Sequence, residues 1–252
     1  MDLAGRNALV TGVSRRAGIG LAIARQLLSG GASVFAQGWS QHDAAQPWGA
    51  ESGGTEAVAR ELGVPFIEAD FADPASPAEV VAAARNALGP LDLLIVNHAR
   101  SGLGRLGELT AEDVDAFLHE NVRASLLLVQ EFAAQHDDRR AGARVVLFTS
   151  GQHLAPMSRE VAYAVSKGAL HQATLTLAEE LADRGITVNA VNPGPTDTGW
   201  GLGDHDSGRA MPFGRWGEPD DAARLVAWLC SDDARWITGQ VIDSEGGFRR
   251  WA

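Results

Sequence analysis

Residues Ser150 to Lys167 read SGQHLAPMSREVAYAVSK and carry a hydroxyl, a phenol and an ammonium that could together move a proton. The chain has one tyrosine, and twenty of its 21 basic residues are arginine, which leaves Lys167 as the sole lysine. These two singletons stand four residues apart, as Tyr163-Ala-Val-Ser-Lys167. On a helix that spacing puts both side chains on one face. A phenol with an ordinary pKa of about 10 is a reluctant acid near neutrality. A neighbouring ammonium favours the phenolate, and is expected to lower that value toward the working pH, where acid–base catalysis is most effective. Lysine supplies a compact charge with rotatable donors that can also reach a sugar hydroxyl, where arginine presents a broad planar fork. A packed tyrosine beside a solvated lysine is the plainer alternative, and the rest of the chain decides.

The elements that would position this stretch alternate from end to end. Apolar strand-like runs fall at Asn7–Thr11, Ser33–Gln37, Pro65–Ala69, Leu91–Asn97, Arg144–Thr149, Ile186–Asn192 and Gln240–Asp243. Helical patterns lie between them, near 19–29, 54–62, 77–88, 111–134, 160–183 and 219–230. Such alternation predicts an α/β chain: one doubly wound, Rossmann-like domain over 1–252, with a seven-stranded parallel sheet and helices on both faces. The turn-rich stretches 38–54 and 194–217 are read as loops at the ligand end of the sheet. The first turn, Thr11-Gly-Val-Ser-Arg-Arg-Ala-Gly-Ile-Gly20, leads straight into a helix. Its glycines let the backbone approach a pyrophosphate, which the helix N-terminus would then hold.

Tyr-x-x-x-Lys, with a serine thirteen residues before the tyrosine and this opening turn, resembles the short-chain dehydrogenase/reductase family. The likeness covers nearly the whole chain, with its motifs in the family's order, and is nearest to 3-oxoacyl carrier-protein reductases. The turn is two residues longer than the family's T-G-x-x-x-G-x-G, a feature of the enoyl-reductase branch as well. The short Tyr–Lys spacing favours the carbonyl-reducing branch.

The resemblance implies a nicotinamide cofactor held by Gly12, Ser14, Gly18, Ile19 and Gly20 in the first turn. Asp70 and Phe71 would lie near the adenine, with Asn97 and Ala99 after the fourth strand. Tyr163 and Lys167 would reach the nicotinamide ribose, and Pro193, Gly194, Thr196 and Thr198 the carboxamide. Where the family reads Asn-Asn-Ala-Gly, this chain has Asn97-His-Ala-Arg100, and where Asp-Gly-Gly is common at the end it has Ser244-Glu-Gly-Gly. At the end of the second strand, where an acid would select NAD, stand Gly38 and Trp39. Arg15 and Arg16 in the first turn can pair with a 2′-phosphate, so NADP(H) is expected over NAD.

Ser150, Tyr163, Lys167 and Asn121 form the implied catalytic set. Asn121 sits among apolar helix positions, where an amide must be hydrogen-bonded, and the family's helix Asn holds a water that links Lys to solvent. Ser150, His153, Arg100 and Trp200 are candidate substrate contacts. The expected reaction interconverts a carbonyl and a secondary alcohol. A 3-oxoacyl thioester is the first substrate class, and a small ketone, sugar or secondary metabolite the second. A dinucleotide-binding sensor without catalysis is the rival from another class. By the same analogy the C-terminal strand and helix pack across a two-fold axis, giving a homodimer or homotetramer.

The totals limit the partners. A net charge of −11 argues against nucleic acid and anionic membranes, both of which need a basic surface. No apolar run nears the ~18–20 residues of a membrane span, and the N-terminus enters a strand almost at once, so a cytoplasmic enzyme is expected. Cys230 is the only cysteine, and no set of histidines has a metal-ligand spacing.

Overall fold

The computed structural model describes residues 1–140, 142–199 and 207–251. Seven strands form one parallel sheet: β1 (Asn7–Val10), β2 (Ser33–Gly38), β3 (Phe66–Glu68), β4 (Leu93–Val96), β5 (Ala143–Phe148), β6 (Ile186–Asn192) and β7 (Val241–Asp243). Their order is β3-β2-β1-β4-β5-β6-β7. Every neighbouring pair is parallel, so each connection must cross a face of the sheet.

The crossovers are α1 (Ile19–Ser29), α3 (Gly54–Leu62), α4 (Ser76–Leu88), α5 (Ala111–Phe117), α6 (Ala124–Gln135), α7 (Val161–Ala182) and α9 (Pro219–Cys230). Two short helices, α2 (Ser40–Ala44) and α8 (Ser207–Ala210), lie in the stretches expected to be loops. Alternate strand residues serve opposite faces. Val10, Val34, Ile95 and Val146 pack with Leu21, Ile23 and Leu27 of α1 and Val226 of α9. Leu9, Phe35, Leu94 and Val145 pack with Val80 of α4, Leu128 and Phe132 of α6, and Leu181 of α7. With both faces covered, the strands read as unbroken apolar runs, which is why the sequence shows them clearly.

The strand order reverses between β1 and β4, and a crevice opens there at the carboxyl ends of the strands. The predicted helix at 111–134 is interrupted: Leu118–Arg123 winds as a π-helix between α5 and α6. No described helix is long and apolar enough to cross a membrane, and no described cluster of His, Cys, Asp or Glu could hold a metal.

Candidate active site

The turn after β1 is pinned from three sides. Thr11 Oγ1 accepts from the backbone N–H of Asn97 (3.0 Å) and of His98 (3.2 Å). Asn97 Nδ2 donates to the carbonyls of Thr11 and Gly12. Gln37, at the end of β2, accepts from Gly12 N–H and donates to the Ala69 carbonyl, tying the ends of three strands together. Gly12 has φ of +73°, and a Cβ there would meet His98 Cα at 2.9 Å. A Cβ on Gly20 would stand 2.2 Å from the Gly12 carbonyl oxygen, so only glycine lets α1 approach the turn this closely.

Gly12, Ser14, Arg15, Gly18, Ile19, Trp39, Asp70, Phe71, Asn97, Ala99 and Thr198 all line the crevice. Gly20 acts beneath it, through the packing of α1. Of the two candidate arginines only Arg15 faces the crevice. Its Nη2 donates to the Thr198 carbonyl (2.6 Å) and its guanidinium lies 4.8 Å from the centre of the Trp48 ring. Arg16 turns outward to ion-pair with Glu51 and Glu61. The crevice also holds Asp43, which is buried; Trp48 Nε1 donates to one oxygen while the other has no hydrogen-bond partner. Sequence reading missed Gln37, His42, Asp43 and Trp48: His42 and Asp43 lie on α2, which is too short to leave a periodic signal, and nothing in the sequence aims Gln37 or Trp48 at the crevice.

His98 is locked in place. Its Nε2 faces the Glu120 carbonyl (3.0 Å), an acceptor only, so the proton sits on Nε2. Its Nδ1 then accepts from the Thr11 hydroxyl at 2.9 Å. The ring stacks on Phe71 with centres 4.2 Å apart. Burial pushes the imidazole down to about 3. Arg100, in place of the usual glycine, pairs with Glu120 (2.7 Å) and lies over the Phe117 ring. It borders the cofactor crevice, away from the cleft of Ser150 and Tyr163.

The Ser150–Lys167 stretch borders a second cleft that shares Ile19, Ser101 and Thr198 with the first. Ser150 stands two residues past the end of β5 and lines the same cleft as Tyr163, close enough for its side chain to act on the phenol. Tyr163 and Lys167 project from one face of α7, with Nζ 5.8 Å from the centre of the phenol ring. Nζ is buried and donates to the Phe148 carbonyl at 2.9 Å. Asn121, fully buried in the π-helix, accepts from Arg100 N–H (2.7 Å) and donates to the Arg100 carbonyl and to Ser166 Oγ. Ser166 Oγ donates in turn to the Tyr163 carbonyl, which links the π-helix to the catalytic turn of α7. The Asn121 carbonyl accepts from Ser125 Oγ (2.6 Å).

The expected direction of the phenol's shift is corrected by the surroundings. Desolvation, with Glu160 nearby, pushes Tyr163 up to about 12, only partly offset by the Ser150 side chain. Lys167, buried without an anion beside it, falls to about 8. Lys167 Nζ is committed to the Phe148 carbonyl, and burial is the largest influence on the phenol.

His153 is withdrawn from the cleft: it faces Asp243 and packs on His171. Gly194, Thr196 and Thr198 line the cleft, while Pro193 lies beneath, its carbonyl accepting from Thr196 Oγ1. Trp200 and His205 lie outside the described residues. The far wall was not foreseen. It is built from Met157, Glu160, Trp216, Glu245, Phe248, Arg250 and Trp251.

A family model described as enoyl-(acyl carrier protein) reductase matches residues 12–249. The chain belongs to the short-chain dehydrogenase/reductase family. It is 40% identical over 246 residues to an uncharacterized oxidoreductase, YjdA, of Bacillus subtilis, with 96% of each chain covered. It is 32% identical to versicolorin reductase 1 of Aspergillus parasiticus, with 97% of each covered. Among solved structures, a short-chain dehydrogenase from Burkholderia cenocepacia in complex with NADP aligns with a TM-score of 0.84 and 35% identity, covering 98% of this chain and 99% of that one. The chain is therefore an oxidoreductase of this family, with the family's fold.

Proposed function

We propose that the protein is an NADPH-dependent carbonyl reductase, reversible as an alcohol dehydrogenase. The observation that carries this reading is Ser150 and Tyr163 together in a cleft continuous with the glycine-lined crevice, with buried Lys167 beside the phenol ring. The crevice fits the cofactor: Gly12 and Gly20 let the turn, α1 and the loop after β4 close on one another where any Cβ would clash, and the N-terminus of α1 follows at once. Arg15, which lines the crevice beside Trp48, is placed to take a 2′-phosphate, and NADP in the Burkholderia relative supports that choice. Asp70 and Phe71 would flank the adenine. Lys167 would hold the nicotinamide ribose, and Gly194, Thr196 and Thr198 the carboxamide. Residues 1–150 thus serve the cofactor and 151–252 shape the substrate cleft.

NADPH, when bound, supplies the hydride. Ser150 and Tyr163 donate hydrogen bonds to the substrate oxygen and stabilise the negative charge that grows there. Tyr163 gives up its proton as that charge forms. A phenol at about 12 is matched to a nascent alkoxide, which is a far stronger base than water, and the proton moves downhill. Asn121 and Ser166 hold the first turns of α7 so that Tyr163 keeps its place.

The substrate remains a choice between a 3-oxoacyl thioester and a compact ketone, sugar or secondary metabolite. The aromatic wall of Trp216, Phe248 and Trp251 favours the second class, as does the likeness to a versicolorin reductase. The enoyl-reductase description of the matching family makes a conjugated thioester the second reading. Loss of dihydronicotinamide absorbance discriminates: acetoacetyl and crotonyl thioesters, aromatic ketones and diketones are each supplied with NADPH and with NADH. Tyr163→Phe should lower kcat by about 10²–10⁴ with NADPH binding kept. Near-normal turnover by that variant would sink the assignment, and tight NADPH binding without turnover of any substrate would favour a sensor.

A further inference from the structure

We propose that the cleft accepts ketones that carry a protonated amine next to the carbonyl, and that Glu160 is the residue that recognises the amine. The proposal rests on the carbonyl-reductase reading and names the substrate class of that site.

Glu160 lines the same cleft as Ser150 and Tyr163, three residues before the tyrosine at the start of α7. Its backbone is fixed: Glu160 N–H donates to the Met157 carbonyl, Val161 N–H to Gly104, and Ala164 N–H to Glu160. The side chain is not a helix cap, since it accepts no cap hydrogen bond. It is half-buried, and no described residue donates a hydrogen bond to it or ion-pairs with it. Arg159, itself exposed, is the only cation that acts on it electrostatically.

The other charges of the cleft cancel. Glu245 is ion-paired with Arg250 and also accepts from Asn192 Nδ2. Glu160 therefore leaves the described wall with one uncompensated negative charge. A carboxylate withdrawn from water without a donor is costly, and burial accordingly raises its pKa. An ammonium in the cleft would remove that cost through a charge-assisted hydrogen bond, while a carboxylate or phosphate there would be repelled. Glu160 precedes the first residue of α7, and its carboxylate acts on the Tyr163 phenol across the cleft that both line. A cation one or two bonds from the carbonyl carbon would then reach Glu160 while the oxygen meets Ser150 and Tyr163.

The same contact acts on the chemistry. Glu160 raises the pKa of Tyr163, and a bound ammonium cancels that field and eases proton donation. The amine should thus improve kcat as well as KM. The balance is that of any ketone: hydride from NADPH to carbon and proton from Tyr163 to oxygen give an amino alcohol and NADP⁺. No bond to nitrogen changes.

The test uses two ketones of nearly equal shape, α-dimethylaminoacetophenone and isovalerophenone, at a pH where the amine is protonated. The wild type should prefer the amino ketone by about tenfold or more in kcat/KM, and Glu160→Gln should bring that ratio near one. A charge-assisted bond of this kind is worth roughly a ten- to hundredfold change. The wild type should also be inhibited by the amino alcohol product and not by the neutral alcohol, a readout independent of how the variant folds. Reduction of isovalerophenone without an amine preference, or a ratio untouched by Glu160→Gln, would overturn this inference alone. Failure to reduce either ketone, or any other, would overturn the reductase reading with it.

Discussion

Lys167 Nζ has a carbonyl within hydrogen-bond reach and no ion pair among the described residues, so its charge is supported by dipoles alone. That is a costly place for an ammonium, and a sugar hydroxyl arriving beside it would be welcome. His98 poses the opposite problem, because it is held neutral. With Nε2–H on the Glu120 carbonyl, a second proton on Nδ1 would face a Thr11 oxygen that already accepts from two backbone N–H groups. Its folded pKa is about 3 against about 6.5 unfolded, so the unfolded chain binds one more proton between those values. Stability from this residue is full above about pH 6.5 and falls as pH drops toward 3. Between about pH 7 and pH 4.5 the loss should be about 2 kcal/mol, allowing for residual solvent contact. Urea unfolding of wild type and His98→Asn at both pH values checks it: the wild type should lose that much more than the variant, and equal losses would refute the reading. None of this could be read from the sequence, which shows only that a histidine stands where a second asparagine is usual. The Tyr163–Lys167 pair was legible because helical spacing dictates it. The sign of the phenol's shift was not, since it depends on what surrounds the ring.

Elements were legible to the extent that periodicity reports burial. All seven strands lie within two residues of the apolar runs, since both faces of the sheet are covered. The interruption at Leu118–Arg123 left no such mark. A π-helix adds one residue to a turn without breaking an apolar pattern, and such insertions gather at functional sites. Here it carries Asn121 to Arg100 and Ser166. The cleft's far wall was hidden for another reason: Trp216, Phe248 and Trp251 are distant in sequence from Ser150 and meet it only in the folded chain. The glycine turn makes the sharpest claim at this scale. Gly20→Ala would drive a methyl into the Gly12 carbonyl, with a 2.2 Å approach that backbone on both sides must absorb. An overpacked contact of this kind costs about 1–3 kcal/mol. In a chain of this length that is roughly a 2–12 °C fall in Tm. NADPH affinity should fall with it, because the displaced turn is the proposed phosphate cradle. A calorimetric Tm unchanged by the substitution would show that α1 does not press on the turn.

At the scale of the whole molecule the open feature is the edge of the sheet at β7. One side of β7 pairs with β6 and the other pairs with nothing described. Unpaired edges invite association unless they are protected. On the segment that leads into β7, Trp236 is 96% exposed, and Leu175 of α7, 62% exposed, lies against Gly239. A solvated tryptophan, an exposed leucine and an open strand are unfavourable surfaces for a monomer. We propose that a second copy of the chain covers it, which agrees with the two-fold packing of the C-terminal strand and helix that the family resemblance implies. A C2 contact suits this edge because one patch can serve both subunits, and no gain in charge complementarity is needed from a chain carrying −11. Sedimentation velocity should then show a dimer or tetramer at micromolar concentration. Trp236→Asp, at a site with no packing to lose within its own subunit, should shift the population to a smaller species with Tm reduced only through the loss of assembly. A wild-type monomer, or an assembly indifferent to that charge, would place the interface elsewhere.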